Sequence, residues 1–335
     1  MSQQRSIGEV WGVVKQKYSI FLVLGALFVV CSFANPNFLS INNLSNISRQ
    51  LSVTTILAFG ETILIICGMI DLSAGSVVAL SGVLAVATFK ATDSLSLAFS
   101  VGVIVGVACA MLNALMITNF RVPPFIATLA MQTMARGSAL LYTKGQNILR
   151  LGDFVAFGQG NIAGVPTPII FLAVLFAVTW YVLRHTRFGR SIYAIGGNEE
   201  AAVASGINVG RIKYKAFLFN GIFVGIAGVL FMSRVNAGLP NGAINFEFQA
   251  LTAAIIGGTS FSGGIGTASG TLAGAFIVGF LDNIMNLTGV DSYIQQIVRG
   301  AIIALAVIYD IMAKSRRRTR SSLGDIEKKG AKQVA

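Results

Sequence analysis

The chain has 335 residues; 54% are hydrophobic and 11% are charged, where soluble domains carry roughly 25% charge. With a mean hydropathy of +0.74, these values count against a disordered chain, which needs low hydrophobicity, and against a soluble enzyme, which needs a charged surface. The formal net charge of +12 leaves nucleic acid and an anionic membrane surface as competing partners until the charges are placed along the chain.

Ten apolar stretches follow one another, at about 18–34, 51–70, 74–90, 95–118, 125–142, 169–183, 215–235, 249–261, 271–289 and 295–312. A membrane span needs about 20 apolar residues, and the third, sixth and eighth are short or rich in glycine. The expected fold is therefore an all-α integral membrane protein with about ten transmembrane helices. It divides into an N-terminal segment 1–17, a membrane domain 18–312 with a loop at 184–214, and a basic tail 313–335. The first apolar stretch is followed by Asn35-Pro36-Asn37 rather than a small-x-small cleavage site, so it reads as a retained span.

The basic residues orient this arrangement. With the N-terminus cytoplasmic, one side holds Arg5, Lys15, Lys17, Arg121, six residues from Arg184 to Lys215 and eight from Lys314 onward. The other side holds Arg49, Lys90, Lys144 and Arg150. Such a bias places the basic side in the cytoplasm, with both termini there. It also accounts for the charge without nucleic acid: the excess is topological, and the Arg316–Arg318 run reads as a stop signal beside anionic lipid.

Catalytic chemistry is hard to find. The single histidine, His185, sits in a basic loop, leaving little for a metal site or a triad. Asp71-Leu72-Ser73-Ala74-Gly75 lacks the first glycine of a nucleophile elbow. No lysine follows a glycine, so a P-loop of the G-K-[ST] type is absent. Cys31, Cys67 and Cys109 lie unpaired in apolar stretches and read as packing residues. No catalytic residue, metal or bound cofactor is expected on this chain.

Thirty-seven glycines include the four-spaced pairs Gly102/Gly106, Gly221/Gly225 and Gly270/Gly274, which let helix backbones approach closely; packing within one subunit and a subunit interface are both open. Polar residues inside spans usually face a partner or a cavity. Asp71, Ser73, Asn113, Asn220, Asn283 and Asn286 are the candidates for a translocation pathway, because hydroxyls and amides offer a neutral polyol both donors and acceptors. Interhelical hydrogen bonding is the competing reading of the amides. For Glu61 and Arg136 a structural pair or a snorkelling arginine competes with a pathway role. No row of titratable groups runs through one span, which counts against a proton-driven pump. At an offset of 168 Gly102 meets Gly270, Gly106 meets Gly274, Val122 meets Val290, Phe125 meets Tyr293 and Ile126 meets Ile294. If these agreements mark a repeat, the shift is five spans, and the second copy is inverted.

The loop between the sixth and seventh spans is the most informative stretch. Asn198 is a helix cap, Glu199 and Glu200 suit a positive first turn, Ala201 to Ala204 continue it, and Gly206 suits a left-handed end. A helix of about two turns is not stable alone and needs something to dock on, either its own spans or a partner.

Here the chain resembles the permease subunits of bacterial sugar ABC importers of the ribose and galactose type. Asn198-Glu199-Glu200-Ala201-Ala202 with Ser205-Gly206-Ile207-Asn208-Val209 is similar to their coupling loop. Gly68-Met69-Ile70-Asp71-Leu72-Ser73-Ala74-Gly75-Ser76 resembles their G-x-x-D-L-S-x-G motif. Phe125-Ile126-Ala127-Thr128-Leu129 with Arg136-Gly137, Gly257-Gly258-Thr259-Ser260 leading to Gly263-Gly264-x-Gly266, and Gly289-Val290-x-x-Tyr293 with Gln296 follow the same pattern. The matches span about residues 36 to 310; Glu61 and the long basic tail depart from it. The resemblance implies a multi-pass protein of the bacterial inner membrane that imports a monosaccharide such as ribose or galactose. It implies a pathway formed with a second permease copy, an extracytoplasmic sugar-binding protein, and a cytoplasmic ATPase that holds the ATP and magnesium. The ATPase would dock around Arg187, Gly189, Gly197, Asn198, Glu199, Glu200, Ala201, Ala202 and Gly206. The competing reading is a self-sufficient secondary transporter or channel.

Overall fold

The computed structural model describes residues 19–305, 307, 308 and 312; the basic residues before 19 and from Lys314 onward, the tail and Asp310 lie outside them. A helix lies over each of the ten apolar stretches. In chain order, α1 is Ser19–Ala34, α2 Ile41–Ile66, α3 Ala74–Thr92, α4 Leu95–Thr118 and α5 Pro124–Thr143. After a loop that carries β1 (Ile148–Leu149), α6 (Ala156–Gln159), β2 (Asn161–Ile162) and β3 (Val165–Pro166) come α7, Thr167–His185, α8, Arg187–Gly197, and α9, Glu199–Ala204. The chain continues with α10, Val209–Val235, β4, Ala237–Gly238, α11, Phe246–Ile256, and α12, Ala268–Leu287. A last helix, α13, runs through 292–305.

Among the described residues six helices, α2, α3, α4, α7, α10 and α12, are long and apolar enough to cross a membrane. The three largest differences between helix bounds and apolar stretches have local reasons. α2 begins ten residues before its stretch because the Ser40 side chain accepts a hydrogen bond from the Asn43 amide, so its polar first turns are helical. α10 begins at Val209 because Asn208 caps it through the Arg211 amide, at 3.0 Å. α11 stops at Ile256, short of 261, where Gly257 and Gly258 follow, the latter with φ +86°. At 11 residues it rises about 16 Å, roughly half of a bilayer core.

α10 is the centre of the packing. Phe217, Phe223, Val229, Leu230 and Met232 are at most 1% exposed, and it lies against α2, α3 and α4. The glycines explain how closely it sits. A side chain at Gly106 would run into the backbone of Gly221 and Gly225, and one at Gly274 into Ala253 and Gly257. The four-spaced glycines thus pack helices within one subunit. That suits a bilayer, where helices gain contact energy rather than hydrophobic energy from association. A smaller cluster joins α1 to α12 through Phe28, Phe38 and Phe280, with ring centroids 5.6–5.8 Å apart. All three cysteines are buried and free.

The two ends of the bundle differ. At one, β1 pairs with β4, Arg49 donates to the Gly158 carbonyl and to Asn161 Oδ1 at 3.0 and 2.9 Å, and Lys90 donates to the Arg150 carbonyl. At the other lie α8, α9 and the start of α10, with Tyr214 donating to Asn119 Oδ1 at 2.9 Å. Arg49, Lys90 and Arg150 therefore gather at the first end, and Arg184, Arg187, Arg190, Arg211, Lys213 and Lys215 at the second.

Candidate functional site

Two constellations emerge, one at the basic end and one in the core. At the basic end, α7 gives way to α8 at Thr186, whose hydroxyl accepts from the Gly189 amide at 2.9 Å. Gly189 is buried where α8 turns back on α7; any side chain there would strike the backbone of Val182 and Leu183. α8 is amphipathic: Ile192 and Ile195 are buried, while Arg187, Arg190 and Gly197 are exposed. Asn198 then caps α9, its side chain accepting from the Ala201 amide at 2.9 Å. Glu199 and Glu200 occupy the first turn, and Gly206 ends the element with φ +80°, Ile207 donating back to the Ala202 carbonyl at 3.0 Å. Glu199 is also tied to α10 by Lys213 at 2.8 Å.

Not all of α9 faces outward. Ala202 is 3% exposed and belongs to the core, whereas Glu199, Glu200, Ala201 and Gly206 are exposed and Val203 is 57% exposed. The α8–α9 unit is seated on the membrane bundle. Gly196 lies against the Ile66 carbonyl at the end of α2, where no side chain would fit; the same carbonyl accepts from the Gly264 amide at 2.9 Å. Tyr193 donates to the Gly266 carbonyl at 2.7 Å, and its burial pushes the phenol above its usual range. α8 therefore touches both the end of α2 and the loop between α11 and α12.

In the core, the chain breaks between α2 and α3. After Ile66 it doubles back, so that the Asp71 amide donates to Glu61 Oε2 at 3.3 Å. Asp71 then stands beside a residue five positions before the helix end, about 7.5 Å along its axis. Its carboxylate is fully engaged. Oδ1 accepts from the Ser73 amide and hydroxyl at 2.8 and 2.5 Å, and Oδ2 accepts from Asn220 of α10 at 2.7 Å. Asn113 of α4 donates to Ser73 Oγ at 3.1 Å. Asp71, Ser73, Asn113 and Asn220 are all at most 2% exposed. A carboxylate in this setting needs such donors, because an unpaired buried charge is costly. Four of the six pathway candidates thus form one knot inside a single subunit, and the interhelical reading of these amides describes their contacts. Glu61 Oε1, Asn113 Oδ1 and Asn220 Oδ1 have no hydrogen-bond partner among the described residues, so the knot holds more acceptors than donors.

The other two candidates lie apart from it. Asn283 of α12 exchanges amide hydrogen bonds with Asn43 of α2 at 2.9 and 3.2 Å. Asn286 accepts from Gln295 at 3.0 Å.

Glu247 escaped the sequence reading because it stands just before an apolar stretch, in the first turn of α11. It is the only carboxylate between Glu200 and Asp282, which is the signal that could have found it. It is 2% exposed, and its carboxylate lies against Gly75 in the first turn of α3, where any side chain would collide with it. The starts of α3 and α11 therefore meet. α5 holds this junction: Gln132 donates to Glu247 Oε1 at 3.3 Å, and Arg136 donates to the Pro240 and Gly242 carbonyls at 2.7 and 2.8 Å. Arg136 is a backbone clamp rather than a snorkelling side chain, and Glu61 pairs with the Asp71 amide. Titratable groups do gather in the membrane region, contributed by three elements rather than a row along one. Among the described residues no three His, Cys, Asp or Glu side chains are placed to share a metal ion.

A bundle of apolar helices with a buried polar knot in its core and a short helix pair seated at its basic end has the build of a membrane transport subunit. Residues 43–307 match the family described as branched-chain amino acid transport system / permease component, and the chain belongs to that family. It is 42% identical over 300 residues to a ribose import permease protein of Bacillus subtilis, covering 89% of this chain and 93% of that one. It is 40% identical to the ribose import permease protein of Escherichia coli, covering 92% and 97%, and 34% identical to that organism's L-arabinose transport system permease protein, covering 94% and 95%. No solved structure matches. The chain is a permease of the bacterial inner membrane and a transport subunit rather than an enzyme.

Proposed function

We propose that this chain is the membrane subunit of an ATP-driven importer of a simple sugar, with two copies forming the pathway. A separate ATPase docks on the exposed side of α9, and an extracytoplasmic binding protein delivers the sugar. The observation that carries this reading is α9 itself: a capped two-turn helix, exposed on Glu200, Ala201 and Val203, at the end where the basic residues gather. Its docking residues are Arg187, Gly197, Asn198, Glu199, Glu200, Ala201 and Gly206; Gly189 and the inward Ala202 seat the loop on its own spans. The names of the relatives favour a pentose, ribose or arabinose, over galactose. This reading puts the basic end and both termini in the cytoplasm, 1–17 and 313–335 as cytoplasmic segments, and ten spans in 18–312. The meeting of α3 and α11, which start 172 positions apart, supports an inverted repeat. ATP-driven closure of the ATPase would press on α9; α8 would pass that displacement to Ile66 and to the Gly263–Gly266 loop, tilting α2 and α12 and switching access. ATP and magnesium stay on the partner.

One observation favours a second reading. The gathering of Glu61, Asp71 and Glu247 is also what a proton-driven carrier would need. Uptake in proteoliposomes separates the two. The permease with its ATPase and binding protein should take up ribose or arabinose only when ATP is present. Sugar uptake by the permease alone on a proton gradient, or uptake of leucine in place of sugar, would overturn the proposal.

A further inference from the structure

A cavity of about 190 Å³ opens between α11, α12 and α13, away from the Asp71 knot. A single water needs about 10–15 Å³ on such a measure, so this space suits a molecule of roughly ten non-hydrogen atoms, the size of a pentose. Its lining is mixed. Phe248 is 41% exposed and offers a ring face. Gln249, Thr252, Asp282, Gln296 and Arg299 surround it with polar atoms.

Asp282 and Arg299 form an ion pair across α12 and α13, Nε to Oδ1 at 2.8 Å. That pairing leaves the guanidinium amino groups and Oδ2 without a partner among the described residues. The side-chain amides of Gln249 and Gln296 also have none there. Gln249 is half-buried and Gln296 exposed. Lipid is a poor environment for this collection, since unpaired amides and charges in hydrocarbon are costly. Polar groups that can donate and accept, set around an aromatic face in an otherwise apolar cleft, are the chemistry that recognises a polyol.

We infer that this cleft is a sugar subsite within each subunit, in which Gln249, Gln296 and the Asp282–Arg299 pair hold the hydroxyls of a five-carbon sugar while Phe248 covers its apolar face. The inference rests on the sugar-permease reading and places the sugar contact at α11–α13 rather than at Asp71, Asn113 and Asn220.

The test is binding of D-ribose and L-arabinose to the purified full-length permease in nanodiscs, with leucine as the comparison solute. Gln249→Leu and Gln296→Leu keep side-chain volume and leave the ion pair intact. Each should weaken pentose binding at least tenfold while the melting temperature stays put. Thr252→Val serves as a second, milder variant with a smaller loss in the same direction. Pentose binding by the parent protein that none of the three variants alters overturns the subsite and leaves the sugar-permease reading standing. A parent protein that binds no pentose also overturns the subsite, and one that binds leucine instead overturns both.

Discussion

The chain is interrupted in two very different ways at the α8–α9 loop and at the α2–α3 break. The loop is closed by short-range bonds: Thr186 to Gly189, Asn198 to Ala201, and Ile207 back to Ala202. It presents charge and one large apolar side chain, Val203, to the outside. The break is closed by bonds from far along the chain, Asn113 reaching across 40 positions to Ser73 and Asn220 across 149 to Asp71, and the side chains that make them are buried. The loop satisfies its caps and ends locally, and Tyr193 to Gly266 and Lys213 to Glu199 tie it to other elements. A unit satisfied by three other elements moves only if they move with it. The two meet at Ile66, whose carbonyl lies under Gly196. In the proposed mechanism the loop is the moving part and the break the fixed point against which it acts.

The largest effect should come from the fixed point. Asp71→Leu leaves the Ser73 amide and hydroxyl and the Asn220 amide without their acceptor, a loss on the order of 3–5 kcal/mol for a broken buried network. The variant should be recovered poorly from membranes, and its melting temperature in detergent should fall steeply. Melting like the parent would show that the break is not an anchor.

A smaller effect is expected where the two regions touch. Tyr193→Phe removes one hydrogen bond to the Gly266 carbonyl, about 1 kcal/mol. The pH dependence has a definite sign. Because burial raises the folded phenol's value, the neutral form is favoured on folding. This stabilisation is complete below the ordinary tyrosine value of about 10 and is lost as pH rises through the higher folded value. Melting curves of the parent should show that alkaline loss, and Tyr193→Phe should lack it. An unchanged alkaline limb in the variant would remove Tyr193 from the contact.

These regions also differ in how far they could be read from the sequence. Asn198, Glu199, Glu200 and Gly206 are placed as expected because caps, first-turn charges and left-handed ends obey rules that span four or five residues. Ser40 follows the same rule as the cap of α2, but the polar turn after it masks the start of the helix. The amides Asn113 and Asn220 stand out in sequence as polar groups in apolar spans. Their meeting at Asp71 depends on how α4 crosses α10, which Gly102, Gly106, Gly221 and Gly225 permit but do not announce. Glu61 and Glu247 each sit alone in sequence, and only the fold brings them to the start of α3. The inward turn of Ala202 belongs to the same class, since it depends on which face of α9 meets the spans.

The central claim is that α9 transmits ATP turnover while the core stays intact. The most direct measurement is sugar-stimulated ATP hydrolysis by the reconstituted complex carrying Glu200→Arg or Val203→Arg, with the melting temperature of the permease recorded alongside. Both side chains are exposed, so stability should change by no more than about 0.5 kcal/mol, while turnover should fall at least tenfold. Turnover equal to that of the parent complex, at unchanged stability, would contradict the account and place the docking surface elsewhere.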